Sequence, residues 1–438
     1  MYHLIGIKGA GMSALAQVLY DLGYEVQGSD KETHFFTEDA LKEKGIKMLP
    51  FDENNIKEGM TIIQGNTFKN DNPEVQKALE LNLTIYTYQE MLAKLTEKFK
   101  SICISGCHGK TTTTSMMAHV LDNLKGCNYL IGDATGKAKK ENEYFTLESC
   151  EYQRHFLSYD PDYVIITNID LDHTDYYKDI DDVIDAYKSF AQKADKMVIA
   201  CGDDPYTHTL EIDPPIFFYG LKEDNDIIAK DVEYTENGIS FDVLVEENYY
   251  GHFDIPFYGK HMLLNALAVI SVCYYERMDA KEVAKQLKTF KGARRRFTET
   301  KVGNNILVDD YAHHPVEIKA TIKSAMQKYP DKEIVAVFQP HTFTRVQEFG
   351  SEFAEVLNLA HKSYVLDIHP AREKQEDFPD ITSDNILKEL KNGEHINMDE
   401  YSKLSDYENT VILFMSPNDL SPLENGCLEE MKNKNLDE

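Results

Sequence analysis

The chain has 438 residues, with 75 acidic side chains against 46 Lys and Arg, a formal charge of −29. At 42% hydrophobic and 28% charged residues it can fill the cores of roughly three domains, and its acidity argues against nucleic acid or anionic membranes as partners. No apolar run reaches a membrane span, no signal-type segment opens the chain, and seven cysteines without a Cys-x-x-Cys pair favour neither a disulfide framework nor a zinc ribbon, so a reduced, cytoplasmic protein is expected.

Residues 1–98 alternate strand and helix. His3–Ile7 reads as a buried strand and Gly6-Ile7-Lys8-Gly9-Ala10-Gly11 as a turn. Met12–Leu22 reads as a helix and Tyr24–Asp30 as a strand ending in an acid. Thr61–Ile63 and a helix near Pro73 continue a Rossmann-like α/β pattern. The glycine order is Gly-x-x-Gly-x-Gly, not the dinucleotide order Gly-x-Gly-x-x-Gly. Asp30 stands about where a ribose-binding acid would. A nicotinamide dinucleotide, the diphosphate of a UDP-sugar, and a ligand-free helix–strand contact all remain open.

Residues 99–293 hold the most telling stretch. The apolar run Ser101–Ile104 leads into Ser105-Gly106-Cys107-His108-Gly109-Lys110-Thr111-Thr112-Thr113-Thr114. A helical pattern follows, with Met116, Met117, Val120, Leu121 and Leu124 on one face. Strand, glycine turn, lysine, hydroxyl and helix form the layout of a phosphate loop. Backbone amides hold the phosphates, lysine neutralises them and a threonine hydroxyl reaches Mg²⁺. The loop is the shorter Gly-x-x-Gly-Lys-Thr, because Ile104 stands where a strict Walker A has glycine. Four β-branched threonines are a poor helix start on propensity alone, which points to a chemical use.

The strands Phe145–Glu148, Tyr163–Asn168 and Met197–Asp204 end in polar residues, as in a parallel sheet that binds ligands at its carboxyl edge. Residues 221–258 alternate and suggest an antiparallel excursion. Glu148 with the Thr111 hydroxyl suits Mg²⁺, which takes a few oxygen ligands. His173, among three aspartates at 170–175, is a further ligand, a charge partner, or part of a solvated loop.

Residues 294–438 read as a third α/β domain, with a charged, frayed end from about Glu424. Arg294-Arg295-Arg296 is either an anion site or a solvated run. Asp309 to Pro315, with His313 and His314, and Gln339 to Arg345 lie at two strand ends. Taken as neighbours, these ends would make a carboxylate pocket; a metal site lacks an obvious third ligand.

Together these residues resemble the Mur ligase family over nearly the whole chain. The resemblance implies an α/β protein of three domains. A Rossmann-like UDP-sugar domain would span 1–98 and a P-loop ATPase-like central domain 99–293. A Rossmann-like C-terminal domain, contributing to ATP and amino-acid binding, would span 294–438. It implies that Gly9, Ala10, Gly11, Met12, Ser13 and Asp30 meet the sugar nucleotide. Gly106, Cys107, His108, Gly109, Lys110, Thr111 and Thr112 would bind ATP, with Asn265 at adenine and Arg296 and Asp310 reaching ATP from the C-terminal domain. Thr111, Glu148 and His173 would hold Mg²⁺, with Lys110, Glu148 and His173 as the catalytic set. His314 and Arg345 would face the muramyl carboxylate and alanine. Met262 and Thr342 depart from the family pattern, and Lys188 lies where some members carry a carbamylated lysine.

The implied activity joins L-alanine to UDP-N-acetylmuramate with ATP and Mg²⁺, through an acyl phosphate, in cytoplasmic peptidoglycan precursor synthesis. The protein is expected to be a monomer or homodimer. Rival readings are a ligase that adds a preformed peptide to the same sugar nucleotide, a folylpolyglutamate synthase, a nicotinamide oxidoreductase and a non-catalytic nucleotide switch.

Overall fold

The computed structural model describes residues 1–436, so the last two positions of the expected third domain lie outside the described residues. Three sheets follow one another along the chain. The first has β1 (Tyr2–Ile5), β2 (Val26–Ser29), β3 (Lys47–Leu49), β4 (Thr61–Gln64) and β5 (Thr84–Thr87) in the order β3-β2-β1-β4-β5. Its pairings are all parallel. The helix after β1 spans Ala10–Asp21, so it begins inside the glycine turn and ahead of the expected Met12.

The second sheet contains β6 (Lys100–Ser105), β7 (Cys127–Leu130), β8 (Gly136–Lys137), β9 (Tyr144–Glu148), β10 (Tyr163–Ile166), β11 (Met197–Cys201), β12 (Ile216–Gly220), β13 (Ile227–Thr235), β14 (Gly238–Val245) and β15 (Asn248–Ile255). Their order is β15-β14-β13-β12-β11-β10-β6-β9-β7-β8. From β12 to β7 the pairings are parallel. β13–β15 form the expected excursion: two-residue connections between successive strands require antiparallel hairpins. β6 is buried along five of its six residues, as a strand covered on both faces must be. Met116, Met117, Val120 and Leu121 of the helix Lys110–Leu124 are fully buried.

The third sheet has β16 (Thr298–Val302), β17 (Asn305–Asp310), β18 (Glu333–Phe338), β19 (Lys362–Val365), β20 (Gly393–His395) and β21 (Thr410–Met415) in the order β16-β17-β21-β18-β19-β20. Only the β16 pairing is antiparallel. Period-two alternation divides its apolar residues between two cores. Val411, Leu413 and Met415 point to one face, Ile412 and Phe414 to the other. The helix Ser421–Leu436 was expected to fray from Glu424. It instead packs Leu423, Cys427 and Met431 into the second of these cores.

By compactness the chain divides into two units. One comprises residues 1–230, 242–253 and 264–291, the other 231–241, 254–263 and the chain from 292 onward. The first sheet and the second sheet up to residue 230 share a unit, and hydrogen bonds tie them together. Gln17 Nε2 donates to the Ala134 carbonyl at 2.9 Å and Ala138 N to Asp21 Oδ2 at 3.1 Å. A Cβ on Gly136 would stand 2.1 Å from the Ala14 carbonyl oxygen.

Candidate active site

The turn after β6 is built from glycine at two places where no other residue fits. Gly106 has φ +136°, and a Cβ there would lie 1.9 Å from Thr167 Oγ1. Gly109 caps the helix Lys110–Leu124 with φ +83°, and a Cβ would meet Asn265 Oδ1 at 2.9 Å. Asn265, 6% exposed, therefore lies against the loop. Asn168 holds the middle of the turn: His108 N donates to its Oδ1 at 2.9 Å, its Nδ2 donates to His108 O at 2.8 Å, and Cys107 N donates to its backbone O at 3.3 Å. The amides of Cys107 and His108, expected to meet ATP, are thus spent on Asn168. The first-turn amides from Lys110 to Thr112 have no intrahelical acceptor, by the geometry of any helix start. They are the donors left for an anion, aided by the positive end of a helix of 15 residues.

Two pairs of side chains border this turn. Thr111 Oγ1 donates to Glu148 Oε2 at 2.8 Å, and Gly132 N donates to the same oxygen at 3.0 Å. Lys110 Nζ donates to Glu151 at 3.0 Å and to the carbonyls of Gly106 and Cys107 at 2.5 and 3.1 Å. His173 Nε2 lies 3.5 Å from Glu151 Oε1. The sequence placed His173 with Glu148; the structure places it on Glu151. His173 itself sits at φ +53°, and its ring packs on Tyr152 at 4.8 Å between centroids.

The electrostatics follow from burial and partners. Burial opposes the Lys110 ammonium, yet the Glu151 carboxylate outweighs it and its pKa lies above the ordinary lysine value. Burial likewise opposes the Glu151 carboxylate, 1% exposed, but Lys110 and His173 bring its pKa below the usual range. For His173 burial is again opposed, by Glu151 and Asp172, and the net shift is upward. Oxygen donors of Thr111 and Glu148 beside unspent helix amides suit Mg²⁺ with a phosphate. Lys188 makes an ion pair with Glu211 at 3.6 Å on the surface. Lys188 lies on the helix Ile180–Ala191, and the preceding Tyr187 meets the loop, its hydroxyl 3.7 Å from Cys107 Sγ.

The turn after β1 is also tightly held. Lys8 N donates to Asp30 Oδ2 at 2.7 Å and Lys31 N to Asp30 Oδ1 at 2.8 Å, so both carboxylate oxygens brace backbone. Lys8 Nζ pairs with Glu38 at 2.8 Å and donates to two carbonyls beyond β2. Gly9, Ala10, Gly11, Met12 and Ser13 form the N-terminal turn of the helix, and Ser13 Oγ donates to Thr37 O at 3.4 Å. Gly11 permits a close approach: a Cβ there would be 2.7 Å from the Tyr88 hydroxyl.

In the other unit Asp310 ends β17 and accepts from Phe297 N and Ala312 N, each at 2.8 Å. Its burial, against the pull of Arg296, raises its pKa to about 6. Arg296 lies over the Tyr311 ring at 4.9 Å and 3.9 Å from Glu317. Glu317 also accepts from His313 N at 3.1 Å and from His314 N at 3.3 Å. The strand ends carrying His313 and His341 are not neighbours, because β21 runs between β17 and β18. The loops close the gap: the rings of His313 and His341 are 6.4 Å apart, and His341 stacks on His369 at 5.6 Å. Arg345, 8% exposed, donates to His341 O at 3.3 Å. His314 is 3% exposed and packs on Phe349. Burial, then His313 and Arg345, lowers the His341 pKa to about 4.

The arginine run divides its work. Arg295 bonds Asp309 and the carbonyls of Ser416, Pro417 and Asn418, so it is an internal strut. Glu151 was expected only as the far end of the acidic segment 148–151 that would bind Mg²⁺, and Glu317 was left without a role. The signal for Glu317 was its place three residues after His314 at a helix start, the spacing of a capping box.

Family models match the chain in three stretches. The Mur ligase family catalytic domain matches residues 1–100, the Mur ligase middle domain 104–273 and the Mur ligase glutamate ligase domain 294–419. Among solved structures, the UDP-N-acetylmuramate-alanine ligase MurC of Thermotoga maritima is 26% identical, with 99% of each chain covered and a TM-score of 0.81. A murein peptide ligase of Psychrobacter arcticus is 20% identical over 99% of this chain and 98% of its own, with a TM-score of 0.72. The MurF ligase of Thermotoga maritima, in complex with ADP, is 18% identical over 88% and 97%, with a TM-score of 0.65. The last two show the shared fold. Fold and phosphate turn together define an ATP-dependent amide-bond ligase. The chain belongs to the Mur ligase family, and its work lies in peptidoglycan synthesis.

Proposed function

We propose that the protein joins L-alanine to UDP-N-acetylmuramate, giving UDP-N-acetylmuramoyl-L-alanine, ADP and phosphate. The similarity to the Thermotoga maritima enzyme over 99% of both chains supports the choice of substrates. The observation that carries the chemistry is the turn at 105–111, where unspent helix amides, Lys110 and the Thr111–Glu148 pair lie at the start of one helix. In this reading the glycine turn of residues 9–13 and Asp30 receive the sugar nucleotide, and Asn265 receives the adenine. Arg296 and Asp310 serve ATP, and His314 and Arg345 the carboxylates. The reaction belongs in the cytoplasm, where its soluble substrates are; no helix among the described residues is long and apolar enough to cross a membrane.

The steps follow from the chemistry of an amide made from a carboxylate. A muramyl carboxylate oxygen attacks the γ-phosphorus and ADP leaves, which gives an acyl phosphate. The neutral amine of alanine then attacks the acyl carbon, loses a proton, and phosphate departs. Mg²⁺ held by Thr111 and Glu148 would supply charge neutralisation for the transferred group, while His173 stands by Glu151. The protein's own share is position and charge: the helix amides orient the phosphates and Lys110 screens them. Lys110→Ala is expected to lower phosphate release by about a hundredfold or more while the fold survives. Undiminished turnover would remove the turn from the mechanism.

Likeness to a murein peptide ligase favours one alternative, a ligase that takes a preformed peptide. Phosphate release and product mass with L-alanine, glycine, L-serine and an alanine-led tripeptide separate the two. The tripeptide as the preferred acceptor would replace the first reading.

A further inference from the structure

Glu151 is the most enclosed ionised group of the site, and no step above uses it. Its carboxylate takes Lys110 at 3.0 Å and stands 3.5 Å from His173. Lys110 has three ammonium protons, and three acceptors surround it: Glu151 and the carbonyls of Gly106 and Cys107. The lysine thus has its hydrogen bonds made before any phosphate arrives. A phosphate must therefore displace an acceptor, and the question is which of the two charged partners gives way.

The backbone answers it. Glu151 is followed within three residues by Gln153 and Arg154 at φ +51° and +57°, conformations that non-glycine residues hold only where surroundings enforce them. Arg154 is tied to Asp182 and Asp185 at 2.6 and 2.8 Å, and the Tyr177 hydroxyl donates to the Glu151 carbonyl at 2.5 Å. The backbone that carries Glu151 is thus held, and His173 stands by its carboxylate. Lys110, on a four-carbon stem, is the partner able to swing.

We propose that Glu151 is a positioning residue that keeps Lys110 occupied until a nucleotide phosphate replaces it as the lysine's partner. Glu151 retains His173 through the exchange. The inference rests on reading the 105–111 turn as the phosphate site. It makes Glu151 a competitor of the nucleotide for one ammonium group, a role distinct from that of a metal ligand or a passive counter-ion.

The test is titration of ADP without metal into the unaltered protein and into Glu151→Gln, which keeps the shape and removes the charge. Competition predicts tighter ADP binding by Glu151→Gln, by about fivefold or more, since a buried lysine that loses its anion gains more from phosphate. Unchanged or weaker binding overturns the proposal. A melting curve on each protein reports folding. Should the variant not fold, the structure of the unaltered protein with ADP decides: Lys110 Nζ on a phosphate oxygen and beyond ion-pair distance of Glu151 supports the exchange, whereas Lys110 still on Glu151 sinks it. Failure of the unaltered protein to bind ADP would strike the nucleotide reading itself, a different result from either.

Discussion

At the scale of single residues, the phosphate turn was readable because its members are contiguous: glycine, lysine and hydroxyl follow one strand and open one helix. Glu148 was readable as a strand end. The partner of His173 was not, because the choice between Glu148 and Glu151 depends on a short turn whose left-handed Gln153 and Arg154 have no composition signal. Gly106 offers a direct check on the turn. Alanine there would place its methyl 1.9 Å from Thr167 Oγ1 at a φ of +136°. Gly106→Ala is expected to cost about 2–4 kcal/mol of stability and to abolish the rise in melting temperature caused by ADP. A variant that melts like its parent and still responds to ADP would show that the turn has room this geometry denies.

At the scale of elements, apolar runs such as Thr61–Ile63 and Ser101–Ile104 located their strands to within a residue, since a covered parallel strand is a plain apolar run. Order within the third sheet was hidden: β21 comes last in the chain yet inserts between β17 and β18, and no local pattern announces a long crossover. The last helix was also misjudged. Its charged residues are conspicuous, while the buried Leu423, Cys427 and Met431 are spaced four apart and few. Two predictions belong here. Arg295→Met removes a guanidinium that serves Asp309 and three carbonyls of the 416–418 loop, and denaturant unfolding should show a loss of about 1–3 kcal/mol. Glu424, on the last helix, has its pKa raised by burial and then by Asp309, to about 7 from 4.5. The folded state holds that proton more firmly than the unfolded chain does. The stabilisation is complete below the unfolded value and is lost as pH rises through about 7. Glu424→Gln should therefore melt higher than its parent at about pH 8 and close to it at about pH 4. A gain of equal size at both values would assign the effect to packing instead.

For the whole molecule, composition set the size, the α/β class and an acid excess. The family resemblance supplied the order of the three domains. The sequence did not show that the first and most of the second share one compact unit, because that union is made by scattered contacts such as Gln17 with Ala134. A charge of −29 surrounds a site proposed to take two polyanions. Long-range repulsion should then slow capture of ATP and UDP-N-acetylmuramate at low ionic strength, and raising salt from about 0.01 M to about 0.15 M should speed their association in stopped-flow traces. Slower association with added salt would mean that local lysines and arginines dominate the field even at a distance.

The ties at residues 132–138 carry a further consequence. Gly132 holds Glu148, Ala134 holds Gln17, and Ala138 holds Asp21, so seven residues couple the helix Ala10–Asp21 to the Glu148 carboxylate. The span between the two is set by one short stretch of chain and its hydrogen bonds, like the jaws of a fixed-gauge caliper. On the proposed chemistry, an acid whose linker to the diphosphate were longer or shorter would bind and yet offer its oxygen at the wrong depth, and selection by reach would precede any reading of the acid's shape.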